Sequence, residues 1–214
     1  MPINILLLGA TGLIGSHLLK ILTASENVAN VYAPTRRPLP STDKKVINPC
    51  GSDLKALLDA LEAPVNVAFC CLGTTQKTAG SRAAFRHADV TLPVYGGATA
   101  LRLGATHYLV VSALGANANS WFFYNRTKGE MEQQLIAQDW PHLTLARPSM
   151  LLGERKEPRT TELLAAPLFH YFPGKWKSIP AGDVAKALWL QARSSSPDAL
   201  TIIESDALRA IAER

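Results

Sequence analysis

Residues 4–15 read Asn-Ile-Leu-Leu-Leu-Gly-Ala-Thr-Gly-Leu-Ile-Gly, a short apolar run that breaks at a glycine and resumes as a helical pattern. An apolar run of strand length leading into Gly9, Gly12 and Gly15 calls for a buried strand, a tight turn and a helix packed directly on the sheet. Gly9 permits the turn, Gly12 lets the backbone approach a phosphate, and Gly15 removes the side chain between helix and strand. The helix N-terminus then presents amides and the positive end of its dipole to an anion. A turn that merely needs glycine would not also need strand, turn and helix in this order.

The remainder of the chain repeats the alternation. Strand patterns lie at Asn4–Leu8, Val28–Ala33, Lys45–Ile47, Asn66–Cys71, His107–Ser112, Leu143–Arg147 and Leu200–Glu204. Helical patterns lie at Gly12–Thr23, Asp53–Leu61, Ser81–Leu103, Asn125–Ala137 and Asp183–Ala192. Such alternation gives a parallel sheet with helices on both faces, since each crossover returns the chain to the same end of the sheet. The expected fold class is therefore α/β, a doubly wound parallel sheet of the Rossmann type in three layers, α/β/α. With 214 residues, 47% of them hydrophobic, one such domain over 1–214 accounts for the chain, and neither an internal repeat nor a low-complexity linker marks a second. Residues 153–180 lack a clear period and carry Pro158, Pro167, Pro173 and Pro180 among Phe169, His170, Tyr171, Phe172 and Trp176. They read as a small C-terminal substrate-side segment or as a surface excursion over the sheet edge.

The net charge of +5 is spread along the chain, and its longest basic cluster, Arg36-Arg37, is too short for a nucleic-acid stripe. Cys50, Cys70 and Cys71 and the five histidines show no metal-ligand spacing, so no metal is expected. The cysteines read as small core residues in a reducing cytoplasm. The first apolar run has no basic leader and ends at Gly9, too early for a signal or a membrane span.

In a sheet of this kind ligands sit at the carboxyl ends of the strands, and four candidate positions fall there. The turn supplies Gly9, Thr11, Gly12, Leu13 and Ile14 for a dinucleotide pyrophosphate. After the second strand come Arg36 and Arg37 where an acidic residue would favour NAD; arginine grips a 2′-phosphate with paired hydrogen bonds, so NADP(H) is favoured over NAD(H). As solvated loop charges the same arginines would say nothing about the cofactor. Leu72, Gly73 and Thr74 leave room beside the fourth strand. Ser112 ends the fifth, and Tyr124 and Lys128 follow four residues apart, one helical turn, on one face. A phenol ordinarily titrates near pH 10 and is too weak an acid for neutral pH, so a neighbouring ammonium is the device that makes it a proton donor. Tyr124 would then give a proton to a carbonyl oxygen that the Ser112 hydroxyl also holds. The other reading packs Tyr124 among Trp121, Phe122 and Phe123 and leaves Lys128 in water.

Five stretches carry a resemblance: GATGLIGSHLL at 9–19, CCLGTT at 70–75, VVSALGANANS at 110–120, YNRTKGEMEQQL at 124–135 and RPSMLLGER at 147–155. Through them the chain resembles the short-chain dehydrogenase/reductase superfamily, atypical branch, and within it the Tat-interacting oxidoreductase-like group. The resemblance implies NADP(H) binding, a Ser112/Tyr124/Lys128 triad, and Pro148, within Arg147-Pro148-Ser149, beside the nicotinamide. It leaves the catalytic asparagine of the classical enzymes unplaced, with His87, Asp89 and Thr91 as the candidates.

Ser112 precedes Ala113-Leu114-Gly115 and lacks the elbow of a serine hydrolase. Glu130, Glu132 and Asp139 read as a solvated helix face. The functional expectation is an NADP(H)-dependent carbonyl reductase or alcohol dehydrogenase acting on a small, apolar or aromatic carbonyl or alcohol. Two other readings stay open: an NADP(H)-binding regulatory or scaffold protein with little turnover, and an epimerase or dehydratase with a bound nicotinamide. An oligomer or a protein partner is compatible with all three.

Overall fold

The computed structural model describes residues 2–41, 43–152, 174–194 and 198–214. Seven strands form one parallel sheet: β1 (Ile3–Leu8), β2 (Val28–Tyr32), β3 (Val46–Ile47), β4 (Val67–Cys70), β5 (His107–Val111), β6 (His142–Arg147) and β9 (Leu200–Glu204). Their spatial order is β3-β2-β1-β4-β5-β6-β9, so the direction of winding reverses between β1 and β4. That reversal is the crevice in which doubly wound sheets place their ligands.

The period of two along β1 divides the core. Ile5 and Leu7 face one layer with Phe69 and Leu109, and Leu6 and Leu8 face the other with Ala68, Cys70, Tyr108 and Val110. The first face is covered by α1 (Leu13–Ala24), α7 (Ala181–Ala192) and α8 (Ser205–Ala212), through Ile14, Leu18, Leu22, Val184, Leu188 and Leu208. The second is covered by α2 (Leu54–Asp59), α5 (Leu92–Arg102) and α6 (Phe123–Ile136), through Leu58, Ala100, Met131 and Leu135. The expected three-layer α/β/α Rossmann architecture is what the chain adopts.

The stretch read as one helix over Ser81–Leu103 is three segments. Short α4 (Arg82–Arg86) leads into a π turn, His87–Thr91, before α5, while the even shorter α3 (Gln76–Ala79) precedes them. The Leu92 amide reaches back to the His87 carbonyl, five residues away. Pro93, next in sequence, has no amide to offer the Asp89 carbonyl and its ring crowds that oxygen, which opens the turn just before it. Of the proposed substrate-side segment, 153–173 lie outside the described residues. Within the rest, a 3₁₀ turn spans Gly174–Trp176 and β8 (Ile179–Pro180) pairs in parallel with β7 (Leu151–Leu152). Arg209 on α8 donates to the carbonyls of Lys177 at 2.8 Å and Gly174 at 2.5 Å, tying this end to the last helix. Cys50 departs from its expected core role: it is exposed, because it sits at the Thr35–Cys50 bridge beyond the edge strand β3.

At the opposite end of the sheet, His107 is buried with its Nε2 2.8 Å from Thr144 Oγ1. Burial first, and the neighbouring His142 second, lower its pKa from 6.5 to about 4. The fold therefore holds the neutral imidazole, while the unfolded chain takes up a proton at higher pH. This contribution is present above about pH 6.5, declines as pH falls towards about 4, and amounts to about 3 kcal/mol in all. Urea unfolding of wild type and His107→Gln between those pH values is expected to show the acid-side slope in wild type and a shallower one in the variant.

Candidate functional site

The β1–α1 turn is built as its glycines require. Gly9 has φ of 81°, and a Cβ on it would lie 2.6 Å from the carbonyl carbon and oxygen of Cys71, so the turn rests on the end of β4. The Gly12 amide donates to the Gly9 carbonyl at 2.9 Å, and a Cβ on Gly15 would overlap the Gly9 carbonyl. Gly12 caps α1 with no side-chain acceptor among the described residues, leaving the first amides of a twelve-residue helix for another partner. Thr11 at this end is exposed, Leu13 is half-buried and Ile14 is in the core.

Beyond β2, Thr35 is fixed by the Asn48 amide nitrogen at 2.8 Å and donates to the Arg37 carbonyl at 2.6 Å. Arg36 and Arg37 are exposed, and neither forms an ion pair among the described residues. The backbone that carries them is held while their guanidinium groups stay available.

Ser112 follows β5, its amide donating to the Ala146 carbonyl at 2.7 Å. It is buried, and its Oγ has no hydrogen-bond partner among the described residues. A buried hydroxyl without a partner costs free energy, and a substrate oxygen arriving there would recover it. The next loop is strapped to the start of α6 by Asn125, whose side chain donates to the Leu114 and Gly115 carbonyls at 3.1 and 2.8 Å. The Leu114 amide in turn donates to the carbonyl of buried Pro148 at 3.0 Å, joining this loop to the end of β6. Gly129 packs against the same loop so closely that a Cβ would overlap Asn117 and Ala118 backbone atoms. Sequence reasoning passed over Asn125 and Gly129; the available signal was a glycine inside an otherwise good helical pattern.

Tyr124 and Lys128 occupy successive turns of α6. Tyr124 is 40% exposed, with its ring 5.9 Å from that of Phe85, whereas Lys128 is buried. Trp121 and Phe122 are 97% and 76% exposed, so the aromatic packing that would have explained Tyr124 structurally does not form around them. Lys128 Nζ lies 2.8 Å from Asp89 Oδ1 in the π turn, and Asp89 Oδ2 accepts the Thr74 amide at 2.9 Å. Gly73 lies over this pair: its Cβ would come within 3.6 Å of Asp89 Oδ1 and 4.0 Å of the ammonium. Burial opposes the Lys128 charge, but attraction to Asp89 and then Tyr124 outweighs it and holds the pKa above 10.5. Lys128 is thus a fixed ammonium.

One turn further along α6, Glu132 departs from the solvated face expected of it. It is buried, taking paired hydrogen bonds from Arg147 Nε and Nη2 at 3.0 and 2.6 Å, while Arg147 Nη1 reaches Glu204 at 3.2 Å. Glu130 pairs with Arg86 on the helix flank. Arg147 therefore ties β6, α6 and the end of β9 together.

No protein-family model matches the chain. The mitochondrial protein FMP52 of Candida albicans is 32% identical over 191 residues, covering 84% of this chain and 83% of its own length. Among solved structures, MoeE5 with UDP-glucose and NAD superposes with a TM-score of 0.70 at 20% identity, covering 94% of this chain and 76% of that one. A human epimerase family protein, SDR39U1, solved with NADPH, gives 0.66 at 16% identity, covering 94% and 74%. At these identities the solved structures establish a shared Rossmann fold. FMP52 proteins of several yeasts are named as mitochondrial, which overturns the cytoplasmic location expected from sequence. The physical reason is simple: unpaired cysteines report a reducing environment, and more than one compartment provides it.

Proposed function

The chain belongs to the FMP52 family, and from that premise we propose that it is an NADP(H)-dependent oxidoreductase that reduces a small carbonyl compound with Ser112, Tyr124 and Lys128. The carrying observation is the end of β5 and the start of α6: a buried hydroxyl with no partner among the described residues, an accessible phenol, and a buried ammonium one helical turn below it. The finer kinship, with the Tat-interacting oxidoreductase-like group, rests on the motif stretches of the sequence and belongs to this proposal.

The residues present fit a nicotinamide dinucleotide. The uncapped amides of α1 and the glycine backbone at Gly9 and Gly12 would hold its pyrophosphate, with Thr11, Leu13 and Ile14 around it. Arg36 and Arg37 would hold a 2′-phosphate, and Leu72–Thr74 and Pro148 would border the dinucleotide at the ends of β4 and β6. Bound there, the reduced cofactor would supply a hydride to the carbonyl carbon.

The chain's own part is the proton. The Ser112 hydroxyl donates a hydrogen bond to the carbonyl oxygen and fixes its direction, and Tyr124 gives that oxygen its phenolic proton. Lys128 favours the phenolate left behind, since an opposite charge nearby stabilises the charged form. Carbonyl, hydride and proton together make the alcohol, and water returns the proton to Tyr124 from its exposed side.

The test is consumption of NADPH by the purified protein with a panel of apolar and aromatic aldehydes and ketones. Turnover of at least one class, lost in Tyr124→Phe, supports the reading. NADPH binding with no turnover across the panel would leave a cofactor-binding protein in its place.

A further inference from the structure

We propose that Asp89 is a positioning residue of this site: one carboxylate fixes the Lys128 ammonium and the loop Leu72–Thr74 relative to each other. The proposal rests on the oxidoreductase reading and adds to it the residue that joins its cofactor side to its proton-transfer side.

Asp89 is fully buried; its Oδ2 accepts the Thr74 amide at 2.9 Å, and its Oδ1 lies 2.8 Å from the Lys128 ammonium as an ion pair, with no aligned hydrogen bond among the described residues. The three groups come from the π turn, α6 and the loop after β4; α6 is also held beside the π turn by Arg86–Glu130 and by Phe85 against Phe123 and Tyr124, whereas Asp89 is the residue that adds the loop after β4 to that pairing. Stability alone does not explain the arrangement, because desolvating a buried ion pair costs about as much as the attraction returns. The π turn is a second observation. Its extra residue turns the chain by about 100° relative to a regular helix, resetting the direction in which Asp89 points, and π turns recur at functional sites. The loop backbone lies close over the pair at Gly73, whose Cβ would stand in ordinary contact with both charged groups, at 3.6 Å from Asp89 Oδ1 and 4.0 Å from Lys128 Nζ. Of His87, Asp89 and Thr91, the candidates for the unplaced asparagine, Asp89 is the one that meets the lysine among the described residues.

The groups facing Lys128 are Asp89 from the π turn, Tyr124 from α6 and Cys70 from β4. Without the Asp89 charge, burial would act on the ammonium with its main counterweight gone. Lys128 would then lose its proton at lower pH, and cofactor held through that charge would weaken as pH rises.

The experiment compares wild type, Asp89→Asn and Asp89→Ala. In the cofactor-free protein, lysine-selective NMR follows Lys128 titration and amide exchange follows Thr74. NADPH affinity is then measured by calorimetry from about pH 7 to about pH 9. Expected is a lower Lys128 titration in Asp89→Asn, faster Thr74 exchange in Asp89→Ala, and roughly tenfold weaker NADPH binding in Asp89→Asn that falls further with pH, as loss of a charge-assisted contact predicts. Wild-type NADPH affinity for Asp89→Asn throughout that range would overturn the proposal. Should wild type bind neither NADPH nor NADH, the oxidoreductase reading fails, and an unchanged Lys128 titration with unchanged Thr74 exchange would then sink the Asp89 proposal by itself. If Asp89→Asn does not fold, the neutral pair Asp89→Asn/Lys128→Gln replaces it. Its NADPH affinity should equal that of Lys128→Gln; a further loss would mean that Asp89 does not act through the lysine.

Discussion

Tyr124→Phe is expected to lower carbonyl reduction about a thousandfold while leaving NADPH affinity within about twofold of wild type, the range that loss of a general acid produces. The reason is positional. Tyr124 sits on the first turn of α6 with its ring open to solvent on one side, and its packing contact is with Phe85 through the ring, not the hydroxyl. Phenylalanine keeps that contact and removes only the acidic proton. Stability should therefore stay within about 0.5 kcal/mol, as for other accessible positions that lose no buried partner. Parallel measurement of kcat, KM and NADPH affinity separates the outcomes. A fall in affinity matching the fall in rate would place Tyr124 in cofactor binding rather than proton transfer.

Gly129→Ala should lower the thermal midpoint by roughly 10 °C, about 3 kcal/mol for a chain of this size, and reduce turnover with it. Helix propensity argues the other way, since alanine in a helix interior is worth about 1 kcal/mol over glycine. The contact decides the sign: the new methyl would overlap backbone atoms of Asn117 and Ala118, which cannot rotate away as a side chain can. That loop follows Ser112 and is strapped to Asn125 at the start of α6, so its displacement disturbs the connection between Ser112 and the helix that carries Tyr124. Scanning calorimetry gives the first effect and turnover the second. A midpoint at or above wild type would show that helix and loop part without cost.

The elements that position the site were legible because each had a local cause. The strand–turn–helix of residues 3–24 follows from an apolar run and three glycines, and the buried strands β4 and β5 read as short apolar runs bounded by turns. The Tyr124–Lys128 spacing reads directly as one face of a helix. What escaped depended on partners distant in sequence. Glu132 looks like a surface residue until Arg147, fifteen residues on, is folded against it. Asp89 looks like one polar residue among several because the π turn that aims it leaves the hydrophobic pattern of Ser81–Leu103 nearly unchanged. The exposure of Trp121 and Phe122 ran against the tendency of adjacent aromatics to pack, since the loop before α6 is anchored by its backbone and by Asn125 instead. Helix α8, only eight residues long, was passed over although its period is legible, with Ser205, Leu208 and Ala212 buried and Asp206 and Ala207 exposed.

The most direct test of the account is calorimetric titration of the purified protein with NADPH and with NADH, repeated with Arg36→Ala/Arg37→Ala. The account predicts binding of NADPH in preference to NADH, with the preference lost in the double variant through weaker NADPH binding alone, since the two guanidinium groups meet only the 2′-phosphate. Absence of binding by either cofactor would contradict it, leaving the glycine turn as a structural element of the fold and the triad without a hydride to answer.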